Sequence, residues 1–75
     1  MNKSRRKQLT EASKLIVSAQ AIIESVRDAE QEAFDNMPES IQQSERGETM
    51  EEYIDTLDDA YEQCDDLQQL IEEMQ

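Results

Sequence analysis

Met50-Glu51-Glu52-Tyr53-Ile54-Asp55-Thr56-Leu57-Asp58-Asp59-Ala60-Tyr61-Glu62-Gln63-Cys64-Asp65-Asp66-Leu67-Gln68-Gln69-Leu70-Ile71 is the stretch that decides the fold. Met50, Tyr53, Leu57, Ala60, Cys64, Leu67, Ile71 and then Met74 follow one another at steps of three and four. That rhythm brings side chains to one face of an α-helix, and no Gly or Pro interrupts it. Ile54, Tyr61 and Leu70 flank the stripe and widen it. The spacing predicts a helix over 44–75. Two starts are open. Ser44 can cap a helix running through Gly47, with Glu45 and Glu48 near the positive end of the dipole. Alternatively, Thr49 and Glu52 form a capping box. The Ser44 start places more acid in the first turn and is preferred.

Upstream, Pro38 disfavours helical geometry at Met37 and ends the preceding helix near Asp35-Asn36. Pro38 followed by Glu39 suggests one short helical turn within a linker over 36–43. Residues 3–35 keep the same rhythm through Leu9, Ala12, Ile16, Ala19, Ile23, Val26 and Ala33, with Glu30 as the one polar break. Leu15, Ile22 and Ala29 lie beside it, and Asn2 or Ser4 can cap its start. Two long amphipathic helices joined by a short linker define an all-α chain, a single coiled-coil-like antiparallel hairpin over 1–75. Its expected core and self-association seam joins Leu9, Ile16, Ile23 and Val26 with Met50, Tyr53, Leu57, Tyr61, Cys64, Leu67 and Ile71. Phe34, Asp35, Met37 and Ile41 form the hairpin tip, where they plug the open end or present a docking surface.

The chain has 75 residues, a small core by any measure. Cys64 is the only cysteine and histidine is absent, so neither an internal disulfide nor a Cys/His metal site can reinforce it. A homodimeric helical bundle or the groove of a target protein is the expected source of further burial.

Charge is unevenly distributed within a net of −12. Lys3, Arg5, Arg6, Lys7 and Lys14 lie in the first 14 residues against Glu11 alone, whereas Glu48 to Gln75 hold 11 acids and no base. In an antiparallel hairpin the basic start should face Asp65, Asp66, Glu72 and Glu73. Such pairs are worth only about 0–1 kcal/mol each at a surface, but together they favour that orientation.

Asp55, Asp58, Asp59, Glu62, Asp65, Asp66, Glu72 and Glu73 fall on the face opposite the apolar stripe. Neighbours three or four residues apart lie about 5 Å apart along the axis. Like charges at that spacing repel by a few tenths of a kcal/mol per pair. A helix that needs only solubility mixes signs, so the stripe is a candidate for imitating nucleic-acid phosphates or docking on a basic groove. A solvated face of biased composition is the simpler reading. The carboxylates lack the glycine-centred loop of an EF-hand and the Glu-x-x-His of a di-iron bundle. Catalysis has no support: an exposed helix face offers no pocket to shift a pKa, no His serves a nucleophile, and there is no phosphate-binding Gly-rich loop. No cofactor is expected. Direct nucleic-acid binding is disfavoured by the net charge, and no apolar run approaches a membrane span. Leu15-Ile16-Val17 is too short for the apolar core of a signal peptide after the basic start, so a cytoplasmic location is expected.

The run Glu30-Gln31-Glu32-Ala33-Phe34-Asp35-Asn36-Met37-Pro38-Glu39-Ser40-Ile41-Gln42, then Ser44-Glu45-Arg46-Gly47-Glu48 and acidic heptads, resembles a group of short, acidic, uncharacterised phage and prophage proteins. The resemblance covers residues 24–75. The Asp-Asn-Met-Pro-Glu-Ser and Ser-Glu-Arg elements carry its specificity. It brings no known activity and no functional residues. It implies a viral accessory role inside a bacterial cell, where small acidic proteins block host defence, in the manner of anti-CRISPR or antirestriction proteins, or polymerase machinery, sometimes as DNA mimics.

Overall fold

In the computed structural model, which describes residues 1–75, the chain forms α1 (Lys3–Asp35), α2 (Glu39–Gln42) and α3 (Glu45–Glu73) and no strand. The α1 and α3 helices pack along each other as an antiparallel pair, giving a rod of 58 × 15 × 12 Å. Asn2 caps α1 by accepting the Arg5 N–H at 2.8 Å, which relieves one of the unpaired amides of the first turn. The helix ends at Asn36, two residues before Pro38. Of the two starts open for α3, the chain uses Ser44. The Ser44 hydroxyl does not cap, however, but turns back to donate to the Ile41 carbonyl. Thr49 lies inside the helix with its hydroxyl on the Glu45 carbonyl at 3.0 Å.

The short α2 fixes the turn. Its last residue, Gln42, approaches α3 so closely that a Cβ at Gly47 would overlap the Gln42 carbonyl. Gly47 has ordinary negative φ, so it is there for closeness and not for a left-handed conformation. The Gln42 side chain also donates to the Phe34 carbonyl at 2.8 Å. It thereby ties α2 to the end of α1.

The core is thin. Only Gln20, Gly47, Ile54 and Ile71 are buried. Leu9, Ile16 and Ile23 on α1 and Met50, Leu57, Tyr61 and Cys64 on α3 are half-buried, as the seam requires. Three residues of the expected core and self-association seam are not covered within one chain. Val26, Tyr53 and Leu67 are 48%, 58% and 46% exposed and lie outside the intrachain contact. On each helix one heptad line holds and the other moves on by one residue: Gln20, Arg27 and Phe34 take the inner positions expected of Ala19, Val26 and Ala33, and Ile54 and Gln68 those expected of Tyr53 and Leu67, while Tyr61 and Ala60 are both half-buried. One residue is about 100° of helix, so moving one line of two turns the centre of the contact by about half of that. Both apolar stripes are too wide to be covered by a single partner helix, so one edge closes. It is the edge where polar side chains bond across the gap.

The charged ends also differ from expectation. The hairpin does bring the start of α1 to the end of α3, where Gln75 donates to the Thr10 hydroxyl at 3.1 Å. No base among Lys3, Arg5, Arg6, Lys7 and Lys14 forms an ion pair there. The single cross-helix ion pair is mid-rod, Arg27 Nε to Asp58 Oδ1 at 2.8 Å. Exposed long side chains lose more rotamer freedom than the pairing returns.

Candidate protein-interaction surface

The turn of the contact divides the rod into faces of different chemistry. On the closed edge, the Gln20 amide donates to the Tyr61 carbonyl at 3.1 Å and to Asp65 Oδ1 at 2.9 Å, and its oxygen accepts from Gln68 Nε2 at 2.8 Å. A buried amide with its main groups satisfied costs little to hide. Next along the rod, Arg27 sits between Asp58 and Asp28 (3.6 Å). The hydrogen bond that Arg27 donates to Asp58 holds its guanidinium still more firmly protonated than usual. Tyr61 completes this edge. The negative charge of Glu24, then desolvation and Asp65, push its phenol above the ordinary value of 10.0.

All eight carboxylates of the expected stripe are exposed. They do not form one line. Asp58, Asp65 and Glu72 repeat every seven residues along the closed edge, and two of them are engaged, Asp58 by Arg27 and Asp65 by Gln20. Asp55 and Glu62 run along the back of α3. Asp59, Asp66 and Glu73 border the opposite edge, where Asp66 lines a shallow groove with Ile23, Ala60, Cys64, Leu67 and Leu70. Asp55, Asp59, Glu62, Asp66, Glu72 and Glu73 therefore form a free acidic surface on the outer half of α3, with no ion pair to relieve it.

At the tip, Phe34 and Met37 are half-buried, while Ile41 and Asp35 are exposed. Phe34 lines a shallow, open pocket with Gln31, Glu51, Ile54 and Asp55. Sequence reading missed Gln20, Arg27 and Gln68. Their signal was available as a second heptad line, 13-20-27-34 on α1 and 47-54-61-68 on α3, hidden because half its members are polar.

No three acidic or cysteine side chains converge as a metal site, and no helix is long and apolar enough to cross a membrane. Among protein-family models, curated proteins and solved structures, none matches the chain.

Proposed function

We propose that this is a non-catalytic protein-binding module that docks the outer face of α3 on a basic surface, of the kind that binds nucleic acid. The observation that carries this reading is the set of unpaired carboxylates on that face, spread over three adjacent rows with no lysine or arginine among them after Arg46. Holding them together costs the isolated helix stability through like-charge repulsion. A positively charged partner recovers that cost, and its own field accelerates the encounter. The resemblance to phage accessory proteins gives the reading a setting: an inhibitor occupying the nucleic-acid groove of a host defence enzyme, with the carboxylates standing in for phosphates.

Tagged protein used as bait in bacterial lysate tests this. The captured protein should be basic and nucleic-acid-binding. Raised salt and added duplex DNA should both release it. Replacing Asp55, Asp59, Glu62 and Asp66 by Lys should abolish capture while circular dichroism stays helical. Capture that survives both the salt and the charge reversal would refute the acidic face as the binding surface.

A further inference from the structure

The edge of the rod opposite Gln20 is apolar and open. Ile22, Val26, Tyr53, Leu67 and Leu70 are between 46% and 65% exposed there. Val26 precedes Arg27 by one residue, about 100° around the helix, so this edge faces away from the polar bonds that close the hairpin. Ser18 and Ser25 on α1 and Thr56 and Gln63 on α3 lie between its apolar members, and its charges are few: Glu30 beside Val26 and Tyr53, and Asp66 at the rim beside Leu67 and Leu70.

We infer that a second copy of this chain covers this face, with the two-fold axis parallel to the rod, giving a four-helix bundle in which each α1 lies between two antiparallel α3 helices. Two observations select this occupant. The chain exposes 5727 Å² at 8.7 kDa, where a compact monomer of that mass exposes about 4,700 Å². The surplus of about 1,000 Å² is close to the ~800 Å² that each side of a standard interface covers. Charge chooses the axis. With the axis parallel to the rod, the unpaired bases at the start of α1 meet the acidic end of a second α3. A perpendicular axis instead stacks α3 on α3 and sets Asp59, Asp66 and Glu73 against their own copies. This inference does not rest on the acidic face being a docking surface, since Asp55, Glu62 and Glu72 stay outside the bundle and only the row of Asp59, Asp66 and Glu73 borders it.

The intrachain pairs Thr10–Gln75, Gln20–Asp65 and Arg27–Asp58 set the levels of the two helices. A parallel axis keeps those levels, so Leu15 of one copy lies beside Leu70 of the other. Light scattering should give twice the 8.7 kDa chain mass. The double variant Ile22→Glu and Leu67→Glu should fall to the single-chain mass at concentrations where the parent is paired, while Val17→Glu, exposed on another face, stays paired. A single-chain mass for the parent up to millimolar concentration, a mass above two chains, or a double variant that remains paired overturns the inference. Should the double variant unfold, disulfide trapping decides. Leu15→Cys and Leu70→Cys are each made with Cys64→Ala, mixed and oxidised. The mixed disulfide should form ahead of both homodisulfides; a homodisulfide majority, or no linked pair, overturns the arrangement.

Discussion

At Gly47 there is no room for a side chain, since a Cβ would overlap the Gln42 carbonyl. A lone glycine near a helix start reads as a soft first turn or the end of a linker. What requires it is the Gln42 carbonyl, which the tight α2–α3 turn presses against its Cα, and that approach depends on the path of the turn and not on helix propensity. Propensity and packing predict opposite signs for Gly47→Ala. Alanine in a helix is favoured over glycine by about 1 kcal/mol, but here its Cβ must displace backbone. The expected net is a loss of about 1–3 kcal/mol in urea unfolding, and a gain would show that α2 does not dock as described. Tyr61 offers a second residue-scale test. Its phenol is raised by Glu24 first, then by desolvation and Asp65. A raised folded-state value means the stability tied to the neutral phenol is intact below the unfolded value near 10.0 and is lost as pH climbs through the raised one. In a Tyr53→Phe background, ultraviolet titration should place Tyr61 above 10.0, and Glu24→Gln should move it down. An unmoved midpoint would separate the two side chains.

At the scale of the element, the periodicity of α1 and α3 made both helices legible almost to the residue. Pro38 located the break, and Asn2 and Ser44 proved to be the starts. The facing residues were half legible. One heptad line, Leu9-Ile16-Ile23 against Met50-Leu57-Cys64-Ile71, stands where hydrophobicity puts it. The second line does not. Hydrophobicity favours Val26, Tyr53 and Leu67, whereas the hairpin buries Gln20 and Ile54. A pattern read as apolar against polar cannot see that a glutamine with three partners is a tolerable core residue, because those partners lie 41 to 48 positions away. Variants rank the two polar contacts. Gln20→Ala removes three bonds at a buried site and should cost about 1–3 kcal/mol. Arg27→Ala removes an ion pair whose Asp58 side chain is 49% exposed, and should cost under about 1 kcal/mol. The reverse order in thermal or urea unfolding would mean that the ion pair, and not the amide network, holds the closed edge.

The whole molecule is a 58 Å rod with a polar closed edge, an apolar open edge and an acidic back. Its acidic face was legible as composition, since residues 48–75 contain acids and no base. The engagement of Asp58 and Asp65 by α1 was not, because it follows from the turn of the contact. That turn is the centre of the account: it spends the polar edge on closing the hairpin and leaves the apolar edge for another surface. The most direct test is sedimentation equilibrium of the unmodified chain across a range of salt. Association through a mainly apolar face between chains of charge −12 should strengthen as salt screens their repulsion, giving a two-chain mass at lower protein concentration in high salt than in low. A one-chain mass throughout, or a pair that dissociates as salt rises, would contradict it and place the open edge, or the charges around it, in some other role.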